Sequence, residues 1–307
     1  MTKSSFVQVA IPVPLVGQLD YQWTKSDPLP SLGCRVRVPL GRREKIGIVT
    51  CHIDKPSLDP SRIKEILETL DTEPVLNTEL FDLLCWCAKY YHHPVGEVLT
   101  HALPTLLRQG RPAQASEKFW ELTKTGRALS NEKYLGKLQM RVIDLLRHSD
   151  QMSAQELLDA GIKGSVLNRM AARGWAQYSK KPCLMKSGTR PTDSPLELTV
   201  EQHKCVSAIA DAAEGYAAYL LQGVTGSGKT EVYMHLISNQ LQVGRQSLLL
   251  VPEIGLTPQL LKRLENRFGS CLAVMHSGLT AAERLEAWRI TRSGEAKIIL
   301  GTRSAIF

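Results

Sequence analysis

The chain lacks any run of about 20 apolar residues, the length a membrane-spanning helix needs. Its opening, MTKSSFVQVAIPVP, holds a proline-broken apolar stretch too short for a secretory signal. A soluble, cytosolic protein with no membrane partner is expected. The pattern of a disulfide framework is missing as well. Seven cysteines, an odd number, lie scattered along the chain, which suits reduced thiols. Only Cys85 and Cys87 sit close together, in LFDLLCWCAKYY, and no second pair at zinc spacing accompanies them. Structural zinc takes four ligands, usually paired as C-x2-4-C, so these thiols read as core and no zinc ligand is assigned. A disordered composition is absent too, since 43% hydrophobic and 22% charged residues mark a globular chain.

An excess of either charge is missing from most of the chain. Residues 1–110 carry 12 basic and 12 acidic side chains, and residues 191–307 carry 11 of each. Residues 111–190 carry 15 basic against 7 acidic, so the whole net charge of +8 lies there. A length of 307 residues predicts two or three domains, because single cores stop growing near about 250–300 residues.

Residues 1–110 read as a β-rich domain. VQVAIPV, RVRVPL and KIGIVTCHI are short β-branched runs separated by turns at Pro14–Gly17, Ser31–Gly33 and Gly41–Glu44. A helix is predicted over Thr78–Tyr91, capped by Asn77 or Thr78 and closed before Pro94. RQGRPAQAS, residues 108–116, reads as a linker.

Within residues 111–190, Leu135–Arg147 has helical spacing at Leu138, Val142, Leu145 and Leu146. Ser153-Ala-Gln-Glu156 is a capping box opening a short helix that Gly161 ends. A third helix is predicted over Ser165–Arg173, then an edge strand or wing over Trp175–Cys183 bearing Lys180 and Lys181. Three helices and a basic wing are the winged-helix order, whose third helix commonly enters the major groove. Small three-helix protein-interaction modules share that pattern. The concentrated charge favours nucleic acid, since each cation that neutralises a phosphate releases counterions.

KSGTRPTDSP, residues 186–195, reads as a second linker. Beyond it strands and helices alternate: a strand at Tyr219–Leu221, a helix from Lys229, then strands at Ser247–Pro252, Leu272–His276 and Ala296–Gly301 with helices Thr257–Phe268 and Thr280–Ser293 between them. That alternation predicts a parallel sheet covered on both faces.

Gly223-Val224-Thr225-Gly226-Ser227-Gly228-Lys229-Thr230 matches the P-loop pattern G-x4-G-K-[ST]. The glycines let successive N–H groups approach a β-phosphate, and the helix N-terminus adds partial positive charge. Lys229 would bridge β- and γ-phosphates and the Thr230 hydroxyl would ligate Mg²⁺, which implies ATP and Mg as cofactors. The carboxylate at a strand end that such a site needs for its metal is not evident. After Thr230 only Glu253 follows an apolar strand, in LLLVPEIG, and Pro252 with IGLTPQ points Glu253 to another role. Nucleotide binding without hydrolysis is expected, so no complete catalytic set is assigned.

LTVEQHKCVSAI (198–209), GVTGSGKTEVY (223–233), VPEIGLTPQ (251–259), HSGLTAAER (276–284) and GTRSAIF (301–307) occur in one order. Together they resemble the first RecA-like lobe of the PriA family of primosomal replication-restart helicases. QVAIPVPLVGQLDY, GCRVRVPLGRREKIGIV and AKYYHHPVGEVLTHALPTLLRQG resemble that family's amino-terminal DNA-binding domain. The likeness spans essentially the whole chain, with 115–190 the divergent part.

The resemblance implies a multidomain fold: a β-rich 3′-end-binding domain over 1–110, a winged helix over 111–190, and over 191–307 an incomplete α/β RecA-like lobe, cut before its metal-binding acidic motif. It implies an ATP-dependent 3′-to-5′ DNA helicase that recognises forks and D-loops and restarts replication in a bacterial, nucleoid-associated setting. Its implied partners are DNA, single-strand-binding protein and other primosome proteins. Carried over by position, Gln202 would contact adenine, Glu253 would belong to a DNA-side motif, and Thr302 and Arg303 would face nucleic acid. Asp20, Tyr21, Gly41 and Lys64 would form a pocket for a 3′ strand end, with Tyr21 stacking the base, Asp20 accepting from the 3′-hydroxyl and Lys64 meeting phosphate. Leu19 stands where the family usually has Phe. The plainer reading makes Tyr21 core, Asp20 a turn cap and Lys64 a solvated charge. The family's zinc-binding insertion and second lobe have no counterpart in this sequence, and the open sheet is expected to expose an apolar edge. A fork-binding module without ATPase activity is a second reading. A small-molecule P-loop kinase, a third, would predict an acceptor pocket and no affinity for DNA.

Overall fold

A computed structural model describes residues 5–14, 17–25, 27–114, 116–129, 135–182, 193–210, 215–252 and 257–307. Residues 1–113 and 187–307 form one compact unit and residues 114–186 a second. Among the described residues no helix is long and apolar enough to cross a membrane.

The first unit begins with an antiparallel sheet of β1 (Ser5–Ala10), β2 (Leu19–Trp23), β3 (Arg35–Leu40), β4 (Arg43–Ile53) and β5 (Glu68–Thr69), in the order β2-β1-β4-β3-β5. The expected turn at Ser31–Gly33 precedes β3, and the one at Gly41 joins β3 to β4, although β4 already begins at Arg43, inside the expected separator; the separator at 14–17 lies partly outside the described residues. The sequence reading missed β2, whose LDYQW pairs along β1 and sets Asp20 opposite Gln8. Side chains alternate between faces along a strand. Val7, Val9, Tyr21, Trp23, Val36 and Val38 accordingly pack together on one side. Helices α1 (Thr78–Tyr90), α2 (Val95–His101) and α3 (Thr105–Arg108) add Leu84, Leu99 and Leu107, and the turn between α2 and α3 adds Leu103, to a second core around Ala10 and Ile48. Asn77 caps α1 by accepting from the Leu80 N–H at 2.9 Å, and α2 and α3 each follow a proline.

Arg35, fully buried, fixes these layers to one another. Its guanidinium pairs bidentately with Asp71 (2.8 and 2.6 Å) and donates to the carbonyls of Leu107 (2.6 Å) and Arg111 (3.0 Å). Of the expected linker 108–116, residues 108–113 are packed into the first unit, and the division between the units falls after Ala113. Arg108 ends α3, the Arg111 carbonyl is held by Arg35, and Ala113 packs against the second core.

The second unit contains β6 (Ser116–Leu122), α4 (Lys124–Arg127), α5 (Lys137–His148), β7 (Met152–Ser153), α6 (Ala154–Asp159), α7 (Gly164–Ala172) and β8 (Ala176–Pro182), with sheet order β7-β6-β8. Ser153 and Glu156 form the expected capping box, and β8 is an edge strand. The side chains of Lys180 and Lys181 fall outside the described residues, as does Cys183. In α5 the buried face is Gln139, Val142, Ile143 and Leu146, whereas Leu138 is 45% exposed. The apolar stripe is thus turned one position from the predicted one, because the i, i+3, i+4, i+7 set beginning at Gln139 meets Trp120, Leu157 and Met170.

The first unit resumes with α8 (Val200–Ala210), α9 (Lys229–Gln242), β9 (Ser247–Leu250), α10 (Pro258–Phe268), β10 (Leu272–Met275), α11 (Ala281–Arg292) and β11 (Ile298–Gly301). The strands are parallel, in the order β10-β11-β9. Two expectations fail here. Tyr219–Leu221 is not a strand: no described strand supplies it with ladder hydrogen bonds, and Leu220 is 91% exposed. The sheet is not covered on both faces at β9, where Leu248 and Leu250 remain exposed. Helix α11 turns its apolar side to the amino-terminal helices. Leu285 and Trp288 join the core of Leu76, Leu84 and Leu107, and Arg289 donates to the carbonyls of Pro112 (2.8 Å) and Ala113 (3.1 Å).

Candidate functional sites for strand ends and phosphates

The β2 register places Asp20 at the mouth of a cavity of about 220 Å³, whose lining includes Asp20, Tyr21, Gly41 and Lys64. The four positions proposed for a 3′ strand end therefore converge, although 44 residues separate Asp20 from Lys64 in sequence. Asp20 Oδ2 accepts from both the N–H and the hydroxyl of Ser57, each at 2.6 Å, and Oδ1 accepts from the Gln8 amide at 3.2 Å. Burial acts most strongly and would raise its pKa, but the Ser57 and Gln8 bonds together outweigh it and hold the carboxyl below its usual range. A carboxylate has about four acceptor sites, so three donors leave Asp20 ionised with room for one more. Gly41 turns at φ 61°, a conformation glycine adopts without a Cβ penalty, and its carbonyl accepts from Lys64 Nζ at 3.4 Å.

Tyr21 does not fit its expected role. Its ring is 3% exposed within the core, and its hydroxyl donates to the Pro39 carbonyl at 3.0 Å. Burial pushes the phenol up to about 12. A ring enclosed in this way offers no free face for stacking a base. The exposed apolar surface at this cavity comes from Leu58, 54% exposed, beside the cation Arg62. Both were missed in the sequence, as was Ser57. The available signal was Asp59-Pro60-Ser61, in which Asp59 accepts from Ser61 and turns the chain so that its flanks reach the rim.

The phosphate-type loop lies at the N-terminus of α9, after residues with no regular structure. Gly226 and Gly228 take φ values of 82° and 78°, which side-chain-bearing residues rarely adopt. Lys229 Nζ donates to the carbonyls of Gly223 (2.6 Å) and Val224 (2.9 Å), closing the loop on itself. Val224, Thr225 and Ser227 are exposed along its outer side, and Thr230 stands in the first turn of α9. Gln202 reaches the loop from α8. Its Oε1 accepts from the Thr199 N–H (3.0 Å), and its Nε2 donates to the Ser227 carbonyl (3.0 Å). A Cβ at position 228 would collide with that amide.

Glu231, next in α9, had no role in the sequence reading. It is 5% exposed and faces Arg263 at 3.0 Å, Arg267 at 3.3 Å and His235 at 3.3 Å. The pattern in the sequence was Glu231 and His235 at i, i+4, opposite two arginines one turn apart on α10. Because the two arginines engage Glu231, it is not free to hold a metal. Among the described residues no group of three or more His, Cys, Asp or Glu side chains is placed to do so. Glu253 falls outside the described residues.

At the carboxyl end of β11, Thr302 is 9% exposed and its N–H donates to the Met275 carbonyl at 3.2 Å. Thr302 is therefore a buried cap of the turn Arg303–Ile306 rather than a surface contact, whereas Arg303 is exposed.

Comparison with known proteins supplies family relationships. Residues 8–104 match the 3′ DNA-binding domain (3′BD) of the PriA type, and residues 199–307 match the DEAD/DEAH box helicase domain. The replication restart protein PriA of Haemophilus influenzae is 34% identical over 312 residues, covering 98% of this chain and 42% of that protein. That of Bacillus subtilis is 29% identical, covering 90% and 43%. That of Treponema pallidum is 43% identical over 121 residues, covering 39% and 18%. The chain thus spans about two fifths of the length of the first two relatives.

Proposed function

The chain belongs with the PriA replication restart proteins along nearly its whole length, and from that premise we propose that it captures the 3′ end of a DNA strand and, at a separate site, binds ATP. The observation that carries this reading is the convergence of Asp20, Gly41 and Lys64 on one cavity, with Ser57 keeping Asp20 ionised.

In this reading the 3′-hydroxyl donates to the remaining acceptor site of Asp20 Oδ1. The terminal base lies against Leu58 and Leu40 in place of Tyr21, which instead braces the wall through Pro39. Lys64 and Arg62 meet the adjoining phosphates, as solvent-facing cations do in strand-tracking grooves. Residues 114–186 act as a winged-helix module. Helix α7 presents Asn168 and Arg169 outward, flanked by Lys163 and Arg173, a polar, cationic face suited to a groove of duplex DNA.

The open glycine conformations of the phosphate loop fit a nucleoside triphosphate in a RecA-like lobe. Gly226, Ser227, Gly228 and Lys229 would hold the phosphates, the Thr230 hydroxyl would ligate Mg²⁺, and Gln202 would meet the adenine from its place beside Ser227. Bound Mg²⁺–ATP would supply the phosphoanhydride whose cleavage powers strand separation. Lys229 exchanges its two loop carbonyls for phosphate oxygens, and Glu231 keeps α9 fixed to α10 while it does so. Glu231, engaged by Arg263 and Arg267, serves as a structural tie in this reading and not as a metal ligand. A fork-DNA module without ATPase activity is the second reading. Within the longer relatives, the parts proposed here would serve 3′-to-5′ unwinding at forks and D-loops and replication restart. Single-strand-binding protein, other primosome proteins and a zinc-bearing segment elsewhere would take part, in the bacterial cytoplasm at the nucleoid.

Fluorescence anisotropy with forks bearing free or blocked 3′ ends tests the central point. Tighter binding to the free end, lost in Asp20→Asn, is expected; equal affinity for both ends sinks the proposal.

A further inference from the structure

A larger cavity, of about 350 Å³, lies between the β3–β4 hairpin and helices α2 and α3. It opens on the face of β3 that carries Arg35 and Arg37, opposite the packed Val36 and Val38. Ile46, Ile48 and Leu103 give it an apolar floor. Its cations are in different states. Arg35 is engaged by Asp71 and two carbonyls. Arg37 donates to Glu68 at 3.0 Å and lies 4.0 Å from Glu44, the one acidic lining residue. Lys45 makes no side-chain hydrogen bond or ion pair among the described residues. Arg108 donates through Nη2 to Thr105 at 2.9 Å, but its Nε is shielded from solvent and meets no acceptor. A buried donor without a partner costs about 1–3 kcal/mol, more when charged, and native proteins rarely leave one without reason.

We propose that this cavity is a second DNA contact, taking one nucleotide of a single strand. The phosphate sits on Arg108 and Lys45, and the base lies over the half-buried Ile46, with Ile48 and Leu103 packed beneath it. An apolar floor under two uncompensated cations matches the two chemistries of a nucleotide, since a base presents an apolar face and its phosphate a charge. The surface joining the two cavities favours the same ligand. Gly41 of the strand-end cavity and Lys45 of this one are at most about 14 Å apart along the chain. Between them Arg42 and Arg43 stand exposed, without ion-pair partners among the described residues. The hairpin tip is thus a cationic track along which one strand can pass from its 3′ end to an inner nucleotide. This inference rests on the reading that Asp20 holds a 3′ end, and the test separates the two.

The experiment is anisotropy with the whole chain and short single-stranded oligonucleotides carrying a free 3′-hydroxyl or a 3′-phosphate, across a salt series. Lys45→Ala and Arg108→Gln are each expected to weaken both oligonucleotides severalfold and to flatten the salt slope by about 0.7, the value per phosphate contact on a single strand. They should keep the preference for the free end, which Asp20→Asn alone should abolish. Lys45 has no partner to lose, so its variant remains informative if Arg108→Gln unfolds. Unchanged affinity and slope in Lys45→Ala, with Asp20→Asn still losing end preference, refutes the second contact and leaves the first standing. End preference retained in Asp20→Asn while Lys45→Ala flattens the slope refutes the first and leaves the second. An absence of binding by either oligonucleotide overturns both.

Discussion

Ser57 donates twice to Asp20, from its main chain and from its hydroxyl, with both contacts at 2.6 Å across 37 residues of sequence. The pair fixes the carboxylate that is proposed to receive a strand end, and it does so only while that carboxylate is ionised. The folded-state pKa of Asp20 is held below the ordinary carboxylate range by the Ser57 and Gln8 bonds, so its contribution is present above the unfolded pKa and is lost only as pH falls through the lower folded value. Preference for a free 3′ end should therefore stay constant from pH 8 to pH 5. A loss of preference near pH 6 would show that another group governs it. Ser57→Ala should keep the fold and weaken the preference, as measured by the ratio of affinities for free and blocked ends.

Lys229→Ala should remove nucleotide binding, followed by a fluorescent ATP analogue, while leaving 3′-end affinity unchanged. The loop and the strand-end cavity have no residue in common. A parallel fall in both affinities would show that the two sites are coupled through the body they share.

Glu231→Ala is expected to destabilise the first unit by about 3–5 kcal/mol, the cost of leaving a buried partner charge unpaired, because Arg267 is itself only 8% exposed. Urea unfolding measures this. A change within about 0.5 kcal/mol, typical of surface sites, would mean that water compensates Arg267.

Thiol reactivity should separate two nearby cysteines. Burial first, and then the charge of Asp71, push the Cys34 thiol up to about 11, while Cys51 is exposed. Since the thiolate is the reactive form, brief alkylation at pH 7.5 should label Cys51 and spare Cys34, as read by peptide mass mapping. Equal labelling would show that β3 opens readily.

Binding by residues 114–186, where the net positive charge is concentrated, should be the most salt-sensitive part of DNA affinity. Replacing Arg169 and Lys163 together should flatten the logarithmic salt dependence by about 1.8 for duplex DNA, at about 0.9 per phosphate contact. An unchanged slope would assign the charge excess of that segment to solubility.

The sequence was most legible where chemistry is local. Asn77, Ser153, Thr257 and Thr280 all cap helices whose starts were predicted, because a cap involves three or four successive residues. The glycine loop before Lys229 was legible for the same reason. Long-range pairings were not. Nothing near Arg35 indicates that Asp71 and the Leu107 carbonyl would surround it, and β2 is visible only through its register with β1. Tyr21 shows the limit most clearly. The family resemblance set it beside Asp20, Gly41 and Lys64, but that its ring is core, as the plainer reading had it, depended on which residues lay across from it.

Helix α11 has a consequence for how the chain is made. Leu285 and Trp288 complete a core whose other buried members lie between Ala10 and Leu107. Translation delivers the amino-terminal residues first, at about 5–20 residues per second. For some tens of seconds or less, the newly made strands and helices must persist without Leu285 and Trp288 packed against their core. The late arrival of one tryptophan makes this interval the time of greatest exposure to chaperones, proteases and misassociation.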